Sequence, residues 1–451
     1  MKEEGKTMLY STANITSTVD STQYFVAIGI FLIAYGFIIS EKINRAIVAI
    51  LGAAFMIIIG VMDLDTAFSH VDWSTITLLI GMMILVNITA QSGVFEFAAI
   101  KAAKLANGRP LLILIYLSLL TAFGSAFLDN VTTVLLIVPV TFAITKILRI
   151  NPVPFLISEV LFSNIGGTAT LIGDPPNIMI GNANKHLDFN SFLINITPVI
   201  LIIIPIVLIY LVLIFRKQMH TQQDRIIELM GIDERKYLKN KKLMIQSLTV
   251  LGLVILSFML HSIFHLEPAL IAILGAAVLM LFTYNDEHKL EVLFSKVEWI
   301  TIFFFAGLFI LVGGLIEIGL IEQLAQKMLD FTNGDIQMTA TFILWVSGIA
   351  SATIDNIPFV ATMIPLIQDL AGQMNLAVSS PEINTLWWSL ALGACLGGNG
   401  TVLGASANVI VSGLAAKEVH PFSYVQFLII GAPITLITLV ISHIYIWLRF
   451  L

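Results

Sequence analysis

Two Asp-Asn pairs, Asp129-Asn130 and Asp355-Asn356, stand 226 residues apart in this 451-residue chain, each at the end of an apolar run. A carboxylate beside an amide offers hard oxygens to a small cation, and the carboxylate can trade that cation for a proton. Two glycine-rich segments accompany them, 231 residues apart. They read Gly166-Gly167-Thr168-Ala169-Thr170-Leu171-Ile172-Gly173-Asp174-Pro175-Pro176-Asn177 and Gly397-Gly398-Asn399-Gly400-Thr401-Val402-Leu403-Gly404-Ala405-Ser406-Ala407-Asn408. Such segments break an apolar helix, leaving free carbonyls that attract cations on one half and free N–H groups that attract anions on the other. The residues expected to bind an ion in the first copy are Asp129, Asn130, Thr132, Thr133, Gly167, Thr168, Thr170, Asp174 and Asn177. In the second copy they are Asp355, Asn356, Gly398, Asn399, Thr401, Ser406 and Asn408.

Each residue also has a plainer reading. Asp129 and Asp355 fit as helix N-caps, with Thr132-Thr133 or Pro358 opening the next helix. Asn177 and Asn408 fit as caps of the second half-helices, with an amide oxygen left for an ion. Asp174 fits an Asp-Pro turn, Glu159 a satisfied structural carboxylate, and Cys395, the single cysteine, helix packing. Ligand duty is added to capping because a carboxylate at membrane depth is costly and marks function. Asp174 corresponds to Ala405 and Thr168 to Asn399, so the two halves of the site differ chemically.

Membrane helices must position these groups. The chain is 58% hydrophobic and 12% charged, half the roughly one-quarter charged residues of soluble domains. Apolar runs near the ~20 residues of a bilayer span recur throughout. In the first copy they cover about 24–40, 45–62 and 74–92, with an interfacial stretch around 95–106. Then come 111–127, the Asp129 interruption, 131–148, a segment from Pro154 broken at Gly166-Gly167, and a last span over 191–215. Val71-Asp72-Trp73 recurs 226 residues on as Val297-Glu298-Trp299. The expected organisation is an N-terminal tail (1–23) without the shape of a cleaved signal, a membrane repeat (24–215), a connector (216–243) and a second repeat (244–451).

The stretch 111–148 reads as two full spans or as a re-entrant hairpin. Its polar tip favours the hairpin, since Asp129 and Asn130 suit a protein-lined cavity at mid-membrane. Five true crossings per repeat then invert the second copy. With the N-terminus outside, 18 of the 23 lysines and arginines fall on the inner side, eight of them in a solvated cytoplasmic connector. The fold expected is an all-α polytopic membrane protein. It has two inverted repeats of about five transmembrane helices plus one re-entrant hairpin each, with broken helices meeting at mid-membrane.

No Lys or Arg lies within an apolar span, so Asp129, Asp174 and Asp355 are expected to lack a buried basic partner. Each is then protonated, bonded by amides, or paired with a mobile cation; Na+ is expected at Asp129, Asn130, Asp355 and Asn356. Such a site suits competition between H+ and a cation, and would repel a di- or tricarboxylate.

The Asp-Asn pairs and both glycine blocks resemble the ion transporter superfamily, specifically its ArsB/NhaD permease branch with a citrate-transporter-like domain. The motifs are most similar to bacterial relatives of the melanosomal P protein. The resemblance implies a homodimer whose protomers have a scaffold part and a transport part moving as an elevator. It also implies two opposed re-entrant hairpins whose tips meet the broken helices. The sodium–dicarboxylate branch carries Ser-Asn-Thr at those tips, where this chain has Asp-Asn.

The function expected is proton-coupled secondary transport, Na+/H+ antiport first. The alternatives are arsenite or antimonite efflux, with Thr168, Thr170, Asn399 and Thr401 contacting As(OH)3, and a chloride-type anion transporter or channel. An intramembrane aspartyl protease is disfavoured because neither Asp has glycine flanks, so no enzyme is expected. The chain has no phosphate-binding loop, and an ATPase would be a separate subunit that nothing here requires. The expected partners are a small inorganic ion, the lipid bilayer of the plasma membrane and a second copy. No nucleic acid is expected, and no cofactor beyond H+ or Na+ as coupling ion.

Overall fold

A computed structural model describes residues 21–40, 42–264, 266–284 and 286–451. The expected tail therefore lies outside the described residues up to position 20, Lys2 and Lys6 with it. Regular structure among the described residues is helical throughout. The first copy runs α1 (Ser21–Ser40), α2 (Arg45–Ile58), α3 (Leu64–Ser69), α4 (Trp73–Gln91), α5 (Val94–Leu105), α6 (Pro110–Phe127), α7 (Asn130–Leu148), α8 (Val153–Thr168), α9 (Pro175–Ala183), α10 (Phe189–Asn195) and α11 (Thr197–Phe215). After a connector helix α12 (Gln223–Met230), the second copy runs α13 (Lys241–Phe264), α14 (Pro268–Thr283), α15 (Glu287–Phe294), α16 (Trp299–Glu317), α17 (Leu320–Thr332), α18 (Ile336–Thr353), α19 (Asn356–Gln373), α20 (Pro381–Gly397), α21 (Ser406–Lys417) and α22 (Tyr424–Arg449). The order repeats element for element, except that α10 has no counterpart.

Nine helices among the described residues are long and apolar enough to cross a membrane. Large apolar side chains such as Phe25, Ile58, Leu201 and Leu281 stand exposed on the outside, as a lipid-facing surface requires. The chain is a multi-pass membrane protein. Its helices depart from the expected spans in two places. The span over 45–62 stops at Ile58, where Gly60 turns the chain at φ +79°. The span over 191–215 divides at Ile196, because Pro198 opens α11 and the preceding turn is capped separately by Asp188.

Two groups of helices position the site. In the first, α2 packs on α16 and α4 on α14, so each copy supplies half of every contact. A methyl added at Gly81 on α4 would lie 2.7 Å from the Ala272 backbone; one at Gly307 on α16 would lie 2.7 Å from that of Ala49. Small residues let these backbones meet where hydrophobic driving force between helices is absent. In the second group, the first arm of each hairpin lies along the first half of each broken helix, α6 on α8 and α18 on α20.

The connector is docked, where the sequence suggested a solvated linker. Lys104 Nζ donates to Ile232 O (2.9 Å) and Glu234 (2.6 Å), and Lys239 N donates to Ser92 O (2.9 Å). The ammonium holds the Glu234 carboxyl below its ordinary range. Leu229 is buried, which residue-by-residue charge in 216–243 conceals.

Candidate functional site

Each hairpin tip is an N-terminal cap. Asp129 accepts a hydrogen bond from Thr132 N (2.8 Å), and Asp355 accepts one from Ile357 N (3.1 Å). The two tips differ in backbone. Asp355 sits at φ −47°, whereas Asp129 adopts φ +125°, a region that favours glycine and costs a side-chain-bearing residue about 1–3 kcal/mol.

The breaks are stitched by the residues that define them. Asn177 Nδ2 donates to Thr168 O (3.0 Å) and Thr170 O (2.9 Å); Asn408 Nδ2 donates to Gly398 O (2.7 Å) and Thr401 O (2.8 Å). These asparagines close the free carbonyls of the first half-helix. The N-cap positions of the second halves are held by Asp174 and Ala405, neither of which makes a side-chain cap bond, and Asn177 and Asn408 lie inside those helices, which corrects the capping role expected for them. The amide serves the carbonyl end because its NH2 carries two donors, one for each carbonyl. Thr170 Oγ1 donates to Ala126 O, and Thr401 Oγ1 donates to Ala352 O (2.6 Å), tying each break to its hairpin. Gly167 and Gly398 allow the loop to fold back: a Cβ at Gly167 would lie 2.5 Å from Gly173 O.

The two breaks also bond to each other. Asn164 Nδ2 reaches across the copies to Asn399 Oδ1 (2.9 Å) and Asn408 Oδ1 (3.0 Å). Cys395, at the position in the second copy that matches Asn164, donates from Sγ to Asn177 Oδ1 (3.4 Å). Thr168 Oγ1 turns back to Asn164 O (2.7 Å). With both amide groups taken, Asn408→Ala would leave the buried Gly398 carbonyl unpaired, while Thr401 O keeps the Gly404 N–H (3.2 Å). We expect a loss of about 1–3 kcal/mol for that carbonyl, read as a lower melting temperature in detergent. Gly413→Ala, on the open face of α21 with nothing within 4 Å of the added methyl, is the neutral control.

Asp174 is the hub. Its two oxygens accept from the tip asparagines of both hairpins, Asn130 Nδ2 (3.3 Å) and Asn356 Nδ2 (3.4 Å). Asn130 also reaches Asn164 Oδ1 (3.1 Å). Beside Asp174 lies a cavity of about 20 Å3, lined by Arg45, Asp129, Asn130, Asp174, Glu298, Thr301, Asn356 and Ser406 among others. Its volume suits about one water-sized particle. Thr133 Oγ1, on the first turn of α7, is buried with no hydrogen-bond partner among the described residues. Glu159 lies apart from the cavity and takes the Thr141 hydroxyl at 2.5 Å.

One expectation is overturned here. Asp355 has a basic partner: Arg45 Nη1 lies 2.6 Å from its Oδ2 and 2.6 Å from Ser406 Oγ. Arg45 opens α2 and so reads as a loop cation in sequence, yet this short helix starts level with the hairpin tip. Glu298, at the start of α16, interacts electrostatically with both Asp129 and Arg45. Sequence reasoning missed Arg45, Glu298, Thr301 and Asn164 as site residues. The available signal for Glu298 was the repeated Val-acid-Trp triplet, which duplicates a carboxylate at a fixed shift.

The comparisons agree with this architecture. The family described as CitMHS, citrate transporter, matches residues 35–393. A Mycobacterium tuberculosis protein described as an uncharacterized transporter is 44% identical over 429 residues, 94% of this chain and 98% of its own length. The human P protein is 34% identical over 505 residues, covering 94% of this chain and 60% of that protein. Among solved structures, the Alcanivorax borkumensis YdaH transporter, described as having an unusual topology, superposes with a TM-score of 0.56 at 12% identity. That match covers 94% of this chain and 98% of that one, and concerns the fold.

Proposed function

Since the chain belongs to the CitMHS citrate transporter family and is a membrane transporter, we propose that it exchanges a small cation, Na+ first, for protons. The observation that carries this reading is Asp174, a carboxylate bonded by amides from both hairpins beside a cavity of about 20 Å3 with Asp129 and Glu298 around it. A desolvated ion or a proton fits such a space, and a citrate-sized cargo does not. The carboxylates supply the charge that either one neutralises.

Alternating access is read from a one-sidedness. Glu298 lines the small cavity, while its repeat counterpart Asp72 lines a separate cavity of about 200 Å3 beside Met179 and Asn182 near the far end of α9. Sliding the hairpin group along α4 and α16 would exchange the two carboxylates, as an elevator does. The inverted arrangement is supported by charge. Lys146, Arg149 and Lys417 line one groove, while Lys185 pairs with Glu267 elsewhere, each set drawn from both copies. On this reading the connector is cytoplasmic, the membrane is the plasma membrane and the carrier is a homodimer.

A second reading, carboxylate cargo, is favoured by Arg45, a guanidinium at the cavity wall, and by the name of the family. One reconstituted preparation with internal pH recorded separates them, presented with Na+, Li+, K+, arsenite, chloride and citrate in turn. We expect saturable proton movement driven by Na+ or Li+. Uptake of citrate without any cation dependence would overturn the cation reading.

A further inference from the structure

Arg45 and Ser406 line two cavities at once. One is the small cavity beside Asp174; the other is a vestibule of about 300 Å3 that also holds Asp355 and opens past Ile39, Ile43 and Asn44, all exposed. The Arg45–Asp355–Ser406 cluster is thus the partition between them. All three of its contacts are 2.6 Å, and the guanidinium also lies over the Phe304 ring at 4.8 Å. It is held by an aromatic face, a carboxylate and a hydroxyl, which restricts it to one position.

The repeat shows that this arrangement exists on one side only. The helices around the partition are duplicated closely, as the paired contacts of Gly81 with Ala272 and Gly307 with Ala49 demonstrate. Aligned on those alanines, Arg45 at the start of α2 corresponds to Pro268 at the start of α14. The acids, by contrast, are matched. Asp72 accepts from Thr75, and Glu298 accepts from Thr301 (3.2 Å), each three residues along. On the α14 side, Lys185 is paired with Glu267 and its side chain is 86% exposed, and His70, which lines the Asp72 cavity, is taken by Glu317 at 2.9 Å.

We propose that Arg45 is a tethered counter-cation that makes the site two-faced. Resting on the cation-exchange reading, Arg45 competes with cargo for Asp355 when the site faces α2, and no guanidinium competes when it faces α14. A mobile cation entering from the vestibule must displace the guanidinium; one entering from the Asp72 side meets Asp72 and an imidazole, His70, already held by Glu317. The carrier therefore binds cations more weakly at its Arg45 face, a built-in preference for releasing them there. A surface of the same charge could not do this, because the competition requires contact with Asp355 itself.

The test is the half-saturating Na+ concentration measured separately from each face, in vesicles where the protein is uniformly oriented. Wild type should differ several-fold between faces. Arg45→Gln should lower the value at the Arg45 face and leave the other unchanged, removing most of the difference; Arg45→Lys should restore part of it. The cation dependence of the melting temperature in detergent, for the same variants, reports binding if a variant transports poorly. A face-to-face difference that persists in Arg45→Gln overturns the proposal and leaves cation exchange standing. The sign of the effect separates the two readings: if Arg45→Gln weakens binding of citrate and strengthens no cation, the cation reading and the tethered-cation role both fail.

Discussion

Asp174→Asn should abolish ion-driven proton exchange while the protein stays folded. The reason lies in the amides that hold it. Asn130 Oδ1 already accepts from Val131 N (2.9 Å), so its NH2 group must point at residue 174. Asn356 has no such tether among the described residues and can turn its amide to accept from the new NH2 group. The asparagine therefore keeps both hydrogen bonds and loses only the charge. A hydrogen-bonded charge contributes about 1.5–3 kcal/mol, so cation affinity should fall on the order of a hundredfold. Flux in reconstituted vesicles and melting temperature in detergent should part company, the first lost and the second nearly kept. Exchange at the wild-type rate in this variant would remove Asp174 from the transport cycle.

Gly166→Ala should have the opposite signature, with folding lost before function can be asked about. An added methyl would run into Ala122 O and lie 2.5 Å from Ala122 Cα. Those are backbone atoms of the hairpin's first arm and cannot swing away as a side chain would. Overpacking that side chains can absorb costs about 1–3 kcal/mol; here α6 and α8 must separate. Gly397→Ala meets Gly348 O at 2.5 Å and should fail likewise. Gly252→Ala, on α13 with nothing within 4 Å, is the control that should behave as wild type. Gel filtration after solubilisation reads the result, and a monodisperse Gly166→Ala protein would show that the hairpin is looser than its contacts.

The largest features were legible in sequence because a membrane makes them expensive. Glycine pairs and Asp-Asn tips interrupt apolar helices at positions that lipid does not tolerate, so the interruptions stand out and their repetition marks the fold. Asp174 could be singled out as the exception to the repeat, and it proved to be the residue both tips bond. Less legible were groups whose role depends on where a helix begins. Arg45 counts as a loop cation until α2 proves short enough for its first residue to meet Asp355. Asn177 and Asn408 sit where a cap is expected, but the direction of their amides, toward carbonyls and away from N–H groups, is set by the path of the break. The bond between Asn164 and the second break crosses 235 residues to Asn399, and no local pattern announces it.

The crosswise packing of α2 on α16 and α4 on α14 also bears on how the protein is made. Neither copy can complete its own core, since the surface that covers Gly81 and Ala49 lies in the other copy. The contacting positions leave the ribosome 191 residues later for Gly81 and Ala272 and 258 for Ala49 and Gly307, a wait of roughly 10–50 s at ~5–20 residues per second. During that interval the first half sits in the bilayer with its close-packing faces open to lipid or to other chains. The connector, clipped to Ser92 and Lys104, emerges early enough to fasten one end of that half before its mate arrives.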